Sequence, residues 1–318
     1  MEPFLTIRPD GYGLIRRSAL RSAGYGDAEI DRMRRSGRLL GVRRGVYRHA
    51  DGGEVSSTKA HALRARAAAP EISGEAVYSH ATAAVLLGFP LWRTPLARLH
   101  VLRDRSGGGR RRPGVHVHVA PVPDHDIVEI DGVRLTSAAR TVADLARTLT
   151  AESALVAADG ALHKAVRSAR TGEYDPGATT ASDVTACLAR FTGRRGTASA
   201  ARLVTFADGA SESPGETRSR FRMHVAGLPP PITQWPVPDT RFRADFGWPD
   251  LGVVGEFDGL EKYGRGRTTS DEDPAEVVWR EKQREDRIRE TGLSVVRWVW
   301  SEIDGTDGMV ARLRKRLG

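Results

Sequence analysis

Of the four carboxylates in one short stretch, RADFGWPDLGVVGEFDG at residues 243–259, Asp250 falls in the link and three fall where strands are expected: Asp245, Glu256 and Asp258. The stretch otherwise reads as two strands rich in Val, Phe and Trp. On the second strand Glu256 and Asp258 are two residues apart and share a face with Val254, while Val253, Gly255 and Phe257 take the other. Like charges side by side repel. Burying even one unpaired ionised carboxylate costs several kcal/mol or drives its pKa upward. A divalent cation resolves the conflict, because hard Mg²⁺ or Mn²⁺ prefers carboxylate oxygen and Asp245 on the neighbouring strand completes a two- or three-point clamp. Bridged to a phosphodiester, such a cation lowers the pKa of a bound water and stabilises the charge that develops on the phosphoryl oxygens. The competing compensation is a structural ion-pair network with nearby arginines.

The elements that must hold these groups can be read on either side. SPGETRSRFRMHVAGL (213–228) predicts a helix with Ser213 as N-cap, Pro214 at its first position, Glu216 in its first turn and Gly227 as its stop. ITQWPVPD, RFRADFGW and LGVVGEFDG predict an antiparallel run whose tightest link lies at 249–252. A basic helix over 274–291 follows, ending at Gly292 and carrying Val278, Arg280, Lys282, Asp286, Arg287 and Ile288. The strand LSVVRWVWSEI then alternates, and its Arg297 projects toward a phosphate or pairs with Asp258.

Asp, ten residues, Glu-x-Asp, with a helical Glu before and a basic helix after, resembles the PD-(D/E)xK nuclease superfamily, in particular its very-short-patch-repair endonuclease-like branch. The likeness covers about 213–303 and rests on SESPGETRSRF, GLPPPITQ, ADFGWPD, EFDG and REDRIRETGLSVVRWVWSEI. It implies a restriction-endonuclease-like three-layer α/β/α domain that hydrolyses phosphodiester bonds with Mg²⁺ or Mn²⁺. It further implies Asp245 and Glu256 as metal ligands, with Asp258 beside them in the place of the superfamily's Lys, and Glu216 as the accessory acid. With an acid at that place, a basic group must come from elsewhere, and Lys262, Arg280 and Lys282 are the candidates.

The other end of the chain is basic. Of a formal net charge of +9 over 318 residues, residues 1–50 supply +6, with 11 Arg against 5 Asp and Glu. Arginine's planar fork grips phosphate, although an Ala-, Arg- and Gly-rich composition also follows from genome base composition alone. GLIRRSALRSAG (13–24) reads as a short helix closed by Gly24, and DAEIDRMRRSG (27–37) as a second with Asp27 as N-cap and Gly37 as stop. RLLGVRRGVYRHA (38–50) reads as a β-ribbon, giving a winged helix-turn-helix over 1–52. Its second helix offers Arg32, Arg34 and Arg35 to the DNA major groove, and its ribbon offers Arg43, Arg44 and Arg48 to the backbone, against the plainer reading of a solvated basic face.

Between these ends, 55–150 reads as a mixed α/β module: helix SSTKAHALRARAAA, then YSHATAAVLLGFPL, then strands RLHVLR and GVHVHVAPV around an Arg/Gly loop at 105–114. In VHVHV, His116 and His118 share a face, but no Cys or further His stands at zinc-site spacing. DGVRLTSAARTVADLART (131–148) predicts a strand and a helix capped at Thr136 or Ser137, with Val142, Leu145 and Leu149 toward the core. Residues 151–212 form a helical connector in which Cys187 is a buried structural thiol.

GYGLIRRSALRSAG, MRRSGRLLGVRRGVYRHA, YSHATAAVLLGFPL, LHVLR and LTSAARTVADLAR together resemble the AbiEi-type antitoxin family of abortive-infection toxin–antitoxin systems, over roughly 10–150. That likeness implies DNA binding, repression of the protein's own operon and a cognate toxin as partner. A single cysteine, no bilayer-length apolar run and no basic-then-apolar leader lead to the expectation of a cytoplasmic protein of α/β (α+β) multidomain class without membrane contact. Its 213–318 domain is expected to cut DNA in phage defence or repair, or else to be an inactive fold in a regulator.

Overall fold

The computed structural model describes residues 8–72, 76–104, 111–112, 114–259, 287, 290–304 and 308–318. They form a mixed α+β protein of helices and three sheets, divided into two compact units: Met1–Phe89 with Arg93–Leu145, and Pro90–Trp92 with Ala146–Gly318.

The first unit opens with β1 (Ile15–Arg16), α1 (Arg17–Ser22), α2 (Asp27–Arg35), β2 (Leu39–Arg43) and β3 (Val46–His49), and its first sheet has the order β1-β3-β2. Ile15, Leu20, Ile30, Met33, Leu39 and Tyr47 make the small core. Gly24 and Gly37 close the two helices at φ +92° and +76°, values that L side chains rarely adopt. Two details depart from the sequence reading. Residues 13–16 are not helical, because Ile15 is drawn into the sheet opposite Tyr47 and the helix begins only at Arg17. Asp27 is not the N-cap of α2, a place held by Gly26. The Asp27 carboxylate instead accepts from the Arg17 guanidinium at 3.0 Å.

Next come α3 (Ser57–Ala68), β4 (Ala76–Tyr78), α4 (His80–Leu86), β5 (Leu99–Arg103), β6 (Arg111–Arg112), β7 (Val115–Val119), β8 (Ile127–Ile130), β9 (Val133–Thr136) and α5 (Ala138–Thr148). The six strands run in the order β6-β7-β5-β4-β9-β8, with β5/β7 and β4/β9 parallel. Ser137 caps α5 by accepting from the backbone N–H of Arg140 at 3.4 Å. Val142 and Leu145 are buried as expected, and Leu149 is half-buried. Arg140 itself is buried, donating to Asp126 at 3.1 Å, Asp144 at 3.0 Å and the Pro121 carbonyl at 2.9 Å.

The second unit starts with α6 (Ala151–Thr171), α7 (Ala181–Ala189), which buries Cys187, α8 (Thr197–Phe206) and α9 (Pro214–Val225). Helix α9 forms where expected, with Ser213 accepting from the Glu216 N–H and Gly227 at φ +69°. Then come β10 (Ile232–Pro236), β11 (Arg243–Trp248), β12 (Val253–Asp258) and β13 (Ser294–Val299), in that spatial order, followed by short helices at Trp300–Ile303 and Met309–Leu317. The first three strands are antiparallel, linked at Pro249–Leu251 as expected, and β13 lies parallel to β12.

The two faces of this sheet separate as the alternation predicts. Val253, Phe246, Trp248, Val296 and Trp298 pack with Met223 of α9 and with Ile303, Met309 and Leu313. Val254 takes the other side with Val237, against partly buried Leu293 and Val295. Gly255 is required by a close approach, since a Cβ there would meet the Trp298 ring at 2.6 Å and the Trp248 ring at 3.3 Å. Both rings are almost wholly buried and have no room to yield. Gly255→Ala should therefore lower unfolding stability by about 1–3 kcal/mol, the usual penalty of an overpacked core. Urea unfolding followed by tryptophan fluorescence checks this, and an unchanged midpoint would refute the close packing.

Candidate functional site

The carboxylates of the second unit belong to a polar row that crosses the sheet. Gln234 on β10 lies opposite Asp245 on β11, between the paired residues Thr233/Phe246 and Trp235/Ala244. One step beyond the pair Phe246/Gly255, the register brings Asp245 opposite Glu256 on β12, and Glu256 is aligned with Arg297 on β13. At that step Asp245 bonds through its side chain: its Oδ2 accepts from the Phe257 backbone N–H at 2.8 Å.

Each charge in the row has a visible compensation. Glu256, only 6% exposed, receives the Arg297 guanidinium at 2.8 Å. For Arg297 the sequence reading named a phosphate or Asp258; the structure gives it a partner that reading did not name, Glu256, which is directly aligned with it. Asp258 is half-buried at the end of β12. Glu216 is buried at the start of α9, where its carboxylate accepts from Ser213 Oγ at 2.7 Å, the Glu212 N–H at 2.9 Å and Gln234 Nε2 at 3.1 Å. Burial pushes its pKa above the ordinary value, and those three donors pull against the shift. Gln234, the link between helix and sheet, has φ +52°, a left-handed backbone that a non-glycine residue holds only under constraint. Nothing in the sequence pattern marks it.

Among the described residues, Asp245, Glu256 and Asp258 do not close on one another as a three-donor group. Lys262, Arg280 and Lys282 lie outside the described residues, as do Val278, Asp286 and Ile288 of the same expected helix; Arg287 is helical and exposed.

In the first unit, Arg32, Arg34 and Arg35 are exposed on α2, whose Ile30 and Met33 face the core. Arg34 touches Asp31 at 3.3 Å, and Arg35 Nε donates to the Asp31 carbonyl at 3.3 Å. Arg44 is exposed at the β2–β3 turn. Arg43 donates to Glu71 at 2.6 Å and Arg48 to the His49 carbonyl at 3.1 Å, so both are partly engaged within the fold. Arg17, Asp31, Arg34, Arg43, Arg44 and Tyr47 line a cavity of about 680 Å³ beside that turn.

A second cluster escapes the sequence reading. His116 and His118 do share a face of β7, but two further histidines join them: His100 from β5, aligned with His116, and His80 from the start of α4. His100 Nδ1 and His118 Nε2 are 2.9 Å apart, and the His80 and His118 rings stack at 3.7 Å. The signal was present in the sequence, since His100 stands on a neighbouring strand, but spacing along the chain cannot reveal which strands become neighbours. Burial, then the charges of the neighbouring histidines, holds His80 far below the ordinary imidazole range, and burial lowers His100 to about 4.

No family model matches the chain. Over 295 residues it is 30% identical to the uncharacterised proteins MT2308 (strain CDC 1551 / Oshkosh) and Rv2248 (strain ATCC 25618 / H37Rv) of Mycobacterium tuberculosis, spanning 91% of this chain and 96% of each relative. The chain belongs to their family. The crystal structure of the RV2827C protein from Mycobacterium tuberculosis is similar over 70% of this chain and 78% of that one, at 17% identity and a TM-score of 0.39, too remote a likeness to carry argument. No helix among the described residues is long and apolar enough to cross a membrane.

The neutral histidines give a pH signature. Between about pH 6.5 and 4 the unfolded chain binds more protons at His100 than the folded chain does, so this residue's contribution to stability is complete above that window and is lost as pH falls through it. His80 and His61, also lowered by burial, act in the same direction. In the presence of a chelator, wild type should lose more stability between pH 7 and pH 5 than His100→Gln does. Equal losses in urea melts would show that His100 titrates normally.

Proposed function

We propose that this is a DNA-binding protein whose residues 1–52 act as a winged helix-turn-helix and whose 213–318 region is a PD-(D/E)xK-type domain that hydrolyses phosphodiester bonds with Mg²⁺ or Mn²⁺. The observation that carries the reading is the exposed row Arg32, Arg34 and Arg35 on a helix anchored by Ile30 and Met33, beside a hairpin tipped by exposed Arg44. A second helix with a cationic outer side and a basic hairpin next to it suits major-groove entry with phosphate contacts alongside. For the hydrolase, support comes from the order of elements: an acidic helix carrying Glu216, antiparallel strands that bring Asp245 opposite Glu256, and a parallel return strand. In this reading Asp245 and Glu256 hold the dication with Asp258 beside them, Glu216 and Gln234 position the strands, and Lys262, Arg280 or Lys282 supplies the basic group. The setting is phage defence, a toxin–antitoxin pair with a cognate toxin, or DNA repair, in the cytoplasm.

Two features favour a second reading, a regulator that binds without cutting. Arg297 already compensates Glu256, and an acid stands where the superfamily has Lys.

Two measurements separate them. Replacing Arg32, Arg34 and Arg35 together by Ala should weaken duplex binding and reduce the magnitude of its salt slope by up to about 3, roughly one for each phosphate that an arginine no longer neutralises. An unchanged slope removes α2 from the interface. With Mn²⁺ or Mg²⁺ the wild type should nick supercoiled plasmid, and Glu256→Gln should lower the rate by at least about a hundredfold while leaving gel-shift affinity intact. Binding with no cleavage in either metal selects the regulator.

A further inference from the structure

We propose that His80, His100 and His118 form a binding site for one transition-metal dication of the zinc class, independent of the carboxylates of the second unit. The fold brings these residues together from three elements: the first turn of α4 and the adjacent parallel strands β5 and β7. One donor atom from each lies within 4.8 Å of the other two. His80 is buried, and the other two are half-buried.

The chemistry of the donor set selects the ion. All three donors are imidazole nitrogens. His118, His100, Arg140 and His116 each disfavour a proton on His80, and Arg140 in turn is held by Asp126 and Asp144. Imidazoles kept neutral offer a lone pair, and nitrogen donors suit Zn²⁺, Co²⁺ or Ni²⁺ rather than hard Mg²⁺. The backbone gives a second, independent sign. His80 has φ +49°, a conformation that a non-glycine residue holds at a cost of order 1–3 kcal/mol, and such strain concentrates where a side chain must be aimed.

The step from the neutral cluster to the loaded site is small. His100 Nδ1 and His118 Nε2, 2.9 Å apart, share one N–H between them. The imidazole that carries it moves that proton to its other ring nitrogen, so both lone pairs turn to the ion and the pair loses no proton. The two nitrogens separate to about 3.3 Å, the span set by two bonds of about 2.0–2.1 Å in a tetrahedral array. The stacked rings of His80 and His118 tilt so that their nitrogen edges converge. The fourth position falls to His116, whose ring is 4.0 Å from that of His118, or to water.

Titration of the tag-free, chelator-stripped full chain with Co²⁺ tests the proposal. One equivalent should bind with the visible bands of four-coordinate, nitrogen-ligated cobalt, and Zn²⁺ should displace it. Loss of an outer-shell group typically costs 10–100-fold in metal affinity, so loss of a direct ligand in His118→Gln or His100→Asn should weaken binding about a hundredfold or more. His80→Asn keeps a residue tolerant of positive φ and should do the same while remaining folded in chelator. Zn²⁺ should raise the melting temperature of wild type and of the double variant Asp245→Asn/Glu256→Gln, but not that of the histidine variants. Absence of stoichiometric cobalt binding, binding that survives the histidine changes, or loss of the bands in the carboxylate variant would overturn the site.

Discussion

A charge removed from water must find a partner, and the second unit is organised by that demand. Asp159 on α6, 1% exposed, receives Arg220 at 2.7 Å and Thr217 at 3.0 Å from α9 on one oxygen, and the Asp208 N–H at 2.8 Å on the other. Arg218 and Arg222 on the same α9 reach Glu152 at the start of α6 and Asp304 after the last strand. Glu216 carries the connection to β10 through Gln234, and Glu256 carries it from β12 to β13 through Arg297. Apart from the Glu216–Gln234 bond, which ties α9 to the strand that follows it, these contacts join residues far apart in sequence. In the Asp159–Arg220 pair, where both side chains are buried, removing one partner strands a buried charge at a cost of about 3–5 kcal/mol, whereas removing both together is far milder. These pairs therefore specify which elements meet more than they add to net stability.

Packing makes the polar row tolerable. Tryptophan and glycine alternate across the sheet so that large rings lie over bare backbone: Trp298 over Gly255, and Trp235 over Gly247. The indole N–H of Trp298 is satisfied by Ser219 Oγ at 2.7 Å, which fixes α9 against one face. With that face closed by apolar contact, the row of Gln234, Asp245, Glu256 and Arg297 interrupts the sheet without opening its core. The same logic holds in the first unit, where Arg140 sits among Asp126, Asp144 and a carbonyl.

Much of this was legible in the sequence, and for definite reasons. Period-two alternation in LGVVGEFDG separated the two faces correctly because each face is buried by different elements. Ser213, Pro214 and Gly227 bounded α9 because capping chemistry is local. Local rules failed where tertiary demand was stronger. Ile15 left its helix to pair with Tyr47, and Asp27 gave up a capping role for Arg17. Arg297 was seen as a residue needing an anion, but its partner depended on the register of two parallel strands, which no spacing encodes. The histidine cluster was half visible: alternation put His116 and His118 together, while His80 and His100 arrived through the order of a six-stranded sheet. Arg140 and Asp144 stood four apart on a predicted helix, a pairing pattern that reads as surface charge and in this fold is buried.

The contest over Glu256 sets what the proposed hydrolase would have to do. At 6% exposure a carboxylate is costly to leave ionised without compensation, so a dication would have to take over the compensation that Arg297 gives as the guanidinium withdraws. Arrival of the ion and departure of the guanidinium must be coupled, and the guanidinium needs an anion to leave for. A nucleic-acid phosphate supplies one, and Arg297 is the better placed for it because its side chain is 32% exposed. Substrate would then be needed to assemble the metal site, tying cleavage to prior binding. In a protein that only binds, the pair stays closed and serves the sheet. The two readings thus differ in one rearrangement, the exchange of a single ion pair between neighbouring parallel strands.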